Sequence, residues 1–165
     1  MYRTSLFFIS LALALVLAGP AQAVSEGSPA PAFEITTLDG QKVDLDSVSA
    51  QGPMLLFFWT TWCHYCKEEI HEIQDFKEEY SSQGLQVLGV NPGWRDSESR
   101  ARSFRRRQEV DLTLAFDQTM RLSNMYAVQG VPTLFLLDDT GKVLYRGHGI
   151  TPELRRTLDR FLAGS

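Results

Sequence analysis

The spacing of hydrophobic positions changes several times along the chain, and each change marks an element. Phe33 to Ile35 and Gln41 to Val43 flank Asp39-Gly40, a turn pair that predicts a hairpin. Met54 to Trp59 is an unbroken apolar run, the pattern of a strand covered on both faces. From Cys63 to Tyr80 apolar residues recur three and four apart, which predicts a long helix that Gly84 ends. Leu85 to Val90 reads as a second buried strand, followed by a polar loop with Pro92, Gly93 and Trp94. Asp96 or Ser97 caps a helix that reaches about Gln108. A short strand over Leu112 to Phe116 and a short helix over Thr119 to Tyr126 come next. Thr133 to Leu137 and Lys142 to Arg146 are strands joined by Asp138-Asp139-Thr140-Gly141. Thr151 caps a last helix with Pro152 at its first position and Leu154, Leu158, Phe161 and Leu162 inward. Strands alternating with helices predict an α/β fold: a three-layer α/β/α sandwich with a mixed central sheet and an N-terminal β-hairpin extension.

The start of the chain follows a different pattern. Arg3 precedes an apolar run from Leu6 to Ala18, Gly19-Pro20 breaks it, and Ala21-Gln22-Ala23 presents small residues two apart. This is the layout of a secretory signal peptide over residues 1–23, cleaved after Ala23. The run is shorter than the roughly 20 residues that span a bilayer, so no stable membrane span is expected after cleavage, with an uncleaved membrane anchor as the alternative. Residues 24–31 form a small-residue lead-in, and residues 32–165 form the domain. The expected location is therefore periplasmic or otherwise extracytoplasmic, where disulfides persist.

Composition narrows the function. At 165 residues the chain has room for one ordinary domain. A net charge of -4 argues against nucleic acid as a partner. Two cysteines permit at most one internal disulfide, so they can make a single site.

Cys63-His64-Tyr65-Cys66 sits between a buried strand and the first turn of the long helix. Residues three apart on a helical turn are neighbours, within reach of a disulfide. Unpaired N–H groups and the helix dipole at that position stabilise a thiolate. Cys63 is the expected nucleophile and Cys66, a turn deeper, the resolving thiol. At about 100° per residue, Glu69 falls in the stripe of Cys66, Ile70, Ile73, Phe76 and Tyr80, while Glu68, Glu72, Asp75 and Glu79 face solvent. Glu69 is thus a candidate to move a proton to or from Cys66, against the plainer reading of a stripe-edge carboxylate reaching water. His64 either stabilises the Cys63 thiolate or is a neutral loop residue. Tyr65 either lines a substrate groove or covers the helix end, and Trp62 presents an indole edge to a partner, packs under the loop, or does both.

Other chemistries fit less well. A c-type haem site needs histidine after the second cysteine, where Lys67 stands. Beside the cysteines only His64, His71 and His148 could complete a metal set, and His71 falls on the outer side of the helix, so no metal is expected. An inert disulfide in so short a loop would gain little from unfolded-state entropy. The run of Arg100, Arg102, Arg105, Arg106 and Arg107 reads as a solvated helix face behind Ala101 and Phe104, with a docking surface for an acidic partner as the alternative.

Trp62-Cys63-His64-Tyr65-Cys66, with Gly130-Val131-Pro132-Thr133 followed by Leu134-Phe135-Leu136-Leu137-Asp138, resembles the thioredoxin superfamily. Ser28-Pro29-Ala30-Pro31-Ala32-Phe33, Phe116-Asp117, Tyr126-Ala127-Val128 and Gly141-Lys142-Val143 are similar to its exported TlpA/ResA-like branch, which includes cytochrome c maturation thioredoxins. The resemblance implies a thioredoxin-like fold and a thiol–disulfide oxidoreductase without bound cofactor. It also implies that Pro132 is a cis-proline facing the Cys63–Cys66 disulfide, that Val131 offers backbone hydrogen bonds to a partner strand, and that Glu69 stands near the second cysteine. Its expected partners are cysteine-containing proteins of the cell envelope and a redox-supplying partner, met by a monomer. Tyr65 replaces the proline usual before the second cysteine, and Phe57 stands where cytosolic thioredoxins carry a buried aspartate. Two alternatives accompany this reading: a non-catalytic binding module or metallochaperone with a structural disulfide, and a peroxiredoxin-like peroxidase. The peroxidase pattern matches Thr60 and Cys63 but has Leu56 in place of its proline.

Overall fold

The structure, a computed structural model, describes residues 24–164; the leader expected over residues 1–23 lies outside them. In chain order the elements are β1 (Glu34–Thr36), β2 (Lys42–Asp44), α1 (Leu45–Ser49), β3 (Met54–Phe58), α2 (His64–Tyr80), β4 (Gln86–Asn91), α3 (Glu98–Arg107), β5 (Thr113–Phe116), α4 (Arg121–Met125), β6 (Thr133–Leu137), β7 (Val143–Gly147) and α5 (Pro152–Ala163). The hydrophobic pattern does not announce α1. Five residues are too few to show a helical period, and this helix starts on Asp44, whose carboxylate accepts from Ser47 N at 2.8 Å.

β1 and β2 pair as a separate antiparallel hairpin, and the other strands form a five-stranded sheet in the order β5-β4-β3-β6-β7. β3 runs parallel to β4 and antiparallel to β6, so the sheet is mixed. The parallel pair requires a crossover, which α2 supplies. β3 has no polar position because both its faces are covered. Leu55 and Phe57 join a core with α2, α3 and α5, while Met54, Leu56 and Phe58 join one with Leu45, Leu122, Tyr126 and Phe33. Three layers result, a mixed sheet covered by helices on both faces. Phe57 fits because Gly89 on β4 has no side chain: a Cβ there would lie 2.5 Å from the Phe57 ring.

Two details decide how the site is held. Ile70, Ile73 and Phe76 of α2 are fully buried, each contributing about 1.5–3 kcal/mol by leaving water. They fix the first turn of α2 beyond the end of β3. Residues of the lead-in run along β7: Gly27 N donates to Val143 O at 2.8 Å, Val143 N to Ser28 O at 2.9 Å, and Ala30 N to Gly141 O at 2.8 Å. An edge that would otherwise offer free ladder groups is thereby covered.

The arginine-rich α3 turns Ala101 and Phe104 inward. Arg105 Nη1 meets both oxygens of Asp39 at 2.7 and 2.8 Å, and Arg102 donates to Leu38 O, so two of these arginines pin the β1–β2 turn.

Candidate active site

β3 ends at Phe58, and Trp59 to Trp62 carry the chain to Cys63, which caps α2. Cys63 Sγ accepts from Cys66 N at 3.1 Å, so one of the unpaired amides of the helix start points at sulfur. The two cysteines are joined by a disulfide with their Cα atoms 5.2 Å apart. Cys63 is 6% exposed and Cys66 1%, so a partner reaches Cys63 first. On reduction, the N–H and the positive end of the α2 dipole favour a thiolate at Cys63.

Across from the disulfide, the Val131–Pro132 peptide is cis. Val131 O lies 3.7 Å from Cys63 Sγ. A disulfide sulfur has no proton to donate, whereas a Cys63 thiol could donate to that oxygen. The loop before β6 is held by two side chains. Thr133 Oγ1 donates to Gly130 O at 2.8 Å, and His148 Nδ1 lies 2.9 Å from Pro132 O. A carbonyl oxygen only accepts, so His148 Nδ1 carries the hydrogen.

Between α2 and this loop runs a groove of about 460 Å³. Tyr65, Glu68, Glu69 and Glu72 line it from α2, opposite Val131, Pro132 and His148. The helical wheel assigns Glu68 and Glu72 to the solvent side. Both are exposed, yet they border the groove because loops 60 to 80 residues later in the chain are packed alongside α2. In the sequence His148 stands out only as a possible metal ligand; its partner Pro132 is adjacent only after β6 and β7 pair. Among the described residues no three His, Cys, Asp or Glu side chains form a metal-ligand set.

Glu69 is half-buried, and Ile150 N donates to its Oε1 at 2.5 Å. Gly149 makes room for the carboxylate, since a Cβ there would sit 2.8 Å from Glu69 Oε2. Burial raises the Glu69 pKa above the ordinary carboxylate value, the Ile150 N–H opposes the rise, and the charge of Glu72 adds to it. Glu69 therefore holds a proton more readily than a surface glutamate does.

The remaining candidates surround the disulfide on its open side. Tyr65 is 72% exposed and Trp62 52%, with the Trp62 indole N–H donated to Trp94 O at 2.6 Å. His64 is exposed, its Nε2 3.5 Å from Glu68 Oε1. Of the two caps that the sequence offers, Ser97 is the one that caps α3; Asp96 accepts from Thr61 N at 2.7 Å, Thr61 Oγ1 at 2.9 Å, Asn91 Nδ2 at 2.8 Å and Ser97 N at 2.9 Å. Burial pushes its pKa up, but the hydrogen bonds from Asn91, Thr61 and Ser97 outweigh burial and hold it below the ordinary value.

The chain is similar to known proteins in sequence and in fold. The AhpC/TSA family matches residues 27–146. Thiol-disulfide oxidoreductase ResA of Bacillus subtilis is 32% identical over 123 residues, 74% of this chain and 67% of that protein. ResA of Geobacillus thermodenitrificans is 33% identical over 121 residues, 73% of this chain and 68% of that protein. The chain thus spans about two thirds of the length of these curated relatives. A crystal structure of a putative thiol:disulfide interchange protein DsbE from Chlorobium tepidum superposes with a TM-score of 0.72 at 28% identity, covering 86% of this chain and 98% of that one. With a Cys-x-x-Cys disulfide at the helix start and these relatives, the chain belongs to the AhpC/TSA family and, within its thioredoxin fold, to the ResA-like thiol–disulfide oxidoreductases.

Proposed function

We propose that the Cys63–Cys66 pair exchanges disulfide for dithiol with cysteine-containing proteins docked in the groove between α2 and the Val131-Pro132 loop. The supporting observation is the disulfide at the start of α2, with its more exposed sulfur facing the cis peptide. In the reducing direction the Cys63 thiolate attacks one sulfur of a partner disulfide. That S–S bond breaks, and the departing thiolate takes up a proton. Cys66, deprotonated with Glu69 as proton acceptor, then attacks Cys63 Sγ and expels the second partner thiolate. Two electrons pass to the partner, and the Cys63–Cys66 disulfide is restored. The same steps reversed oxidise a dithiol.

In this reading Val131 presents its backbone to the partner segment and Pro132 shapes the loop. Trp62 and Tyr65 flank the docked chain, and His64 tunes the thiolate. The apolar leader over residues 1–23 supports an extracytoplasmic site of action, with residues 24–31 as lead-in and 32–165 as the thioredoxin-like domain. Among the described residues no helix is long and apolar enough to cross a membrane. Similarity to ResA and DsbE proteins supports work as a reductant in cytochrome c maturation or a related envelope pathway, by a monomer recharged by a separate reductant. The test uses the dithiol form with insulin: wild type reduces its disulfides, and Cys63→Ser does not. Equal rates for the two would refute the exchange mechanism and leave a structural disulfide.

A further inference from the structure

We propose that Asp96 is a positioning residue for exchange with protein partners: by clamping Thr61 it holds the Trp62-Cys63 segment in the arrangement that a polypeptide docks against. The inference rests on the oxidoreductase reading above. The loop between β4 and α3 grips this segment at two consecutive residues. Thr61 is bound through both its backbone N–H and its hydroxyl by the Asp96 carboxylate, at 2.7 and 2.9 Å. Trp62 is bound through its indole N–H by Trp94 O at 2.6 Å. Asn91, fully buried at the end of β4, ties the loop to the sheet: its Nδ2 donates to Asp96 Oδ2 at 2.8 Å and its Oδ1 accepts from Gly93 N at 2.9 Å. The clamp therefore runs from the central sheet, through Asn91 and Asp96, to the two residues before the attacking cysteine.

This clamp is needed because burial does not hold Trp62. Half of its surface is open to water, so its orientation depends on the bond to Trp94 O and on the backbone at Thr61. The chemistry of the clamp also calls for a carboxylate. Four donors converge on the two Asp96 oxygens, and an asparagine there would turn an NH2 group toward N–H and O–H donors. Released from the clamp, Thr61 and Trp62 would have to be ordered by the partner as it docks, which slows association. A small disulfide reaches Cys63 without covering Trp62 and escapes most of that cost.

The test compares second-order rate constants for oxidation of the dithiol form by insulin and by glutathione disulfide. Asp96→Asn is expected to lower the insulin-to-glutathione rate ratio by about tenfold, the effect of failing to pre-order two interface residues. Thr61→Val keeps the backbone N–H and removes only the hydroxyl bond, and should lower the ratio by about threefold. A purely structural role would lower the unfolding midpoint and leave the ratio unchanged. If Asp96→Asn folds, a wild-type ratio in both variants overturns the proposal; if it does not fold, a wild-type ratio in Thr61→Val does so. Wild-type protein that is oxidised by glutathione disulfide but not by insulin would refute the docking reading and this inference with it.

Discussion

Glu69 and Asp96 are carboxylates partly withdrawn from water, on opposite sides of the segment that carries the disulfide, and burial pushes the pKa of each upward. Their net shifts nevertheless differ in sign. Glu69 receives the Ile150 N–H and stands near the charge of Glu72, so burial prevails and its pKa rises. Asp96 receives four hydrogen bonds, from Thr61, Asn91 and Ser97, and its pKa falls. Deeper burial with a single donor lets Glu69 hold a proton, and shallower burial with four donors keeps Asp96 a fixed charge. On the groove side this suits the proposed proton carrier, and on the loop side the proposed brace.

Glu69→Gln should slow the Cys66-dependent step by about 100-fold, at the lower end of what general acid–base groups contribute, and should erase one limb of the pH–rate profile. Stopped-flow traces of dithiol oxidation across pH would show it; an unchanged profile would reduce Glu69 to a packing residue. Gly149→Ala keeps the charge and moves it, since the new Cβ would crowd Glu69 Oε2. It should slow the same step by about tenfold while the pH limb survives, because misplacement costs rate without removing the group. If both variants lost the limb alike, the distinction between charge and position would collapse.

The smallest effects are on stability, and their signs oppose. Asp96 has a lowered folded pKa, so its stabilisation is present above the ordinary carboxylate range near 3.9 and is lost as pH falls through the lower folded value. Asp96→Asn should therefore be less stable than wild type at neutral pH, and the gap should close in acid. Glu69 has a raised folded pKa, so ionising it costs stability, growing as pH rises past about 4.3 and levelling off above the folded value. Glu69→Gln should gain stability at neutral pH and none in acid. Urea titrations from pH 3 to 8 measure both curves, and parallel curves would contradict the contrast.

Much of this molecule can be read in its sequence, wherever the signal is local. The run Met54 to Phe58 announces a doubly covered strand, Thr151-Pro152 a helix start, and Cys63 with Cys66 a redox pair. Glu69 stands out because a helical period places it next to Ile70 and one turn past Cys66. The clamp does not stand out. Asp96 and Thr61 are 35 residues apart and meet only because β3 and β4 lie side by side in parallel. Read alone, Asp96 before Ser97 is one of two possible caps, and the local pattern cannot say which oxygen turns to the helix and which to the loop. His148 is hidden for the same reason: nothing nearby in sequence announces the Pro132 carbonyl it meets across β6 and β7. The period of α2 turns Glu68 and Glu72 to solvent, where both are exposed, but the period of one helix carries no information about the loop that makes their side a groove.

In the proposed exchange, Cys63 forms a covalent bond to a partner and Cys66 releases it. Mass spectrometry of Cys66→Ser mixed with a disulfide-bearing protein tests this directly. A one-to-one mixed disulfide through Cys63 should form and persist until a thiol is added, while wild type under the same conditions ends as its own Cys63–Cys66 disulfide with the partner reduced. An absence of adduct on Cys66→Ser, with wild type left in its dithiol form, would contradict it.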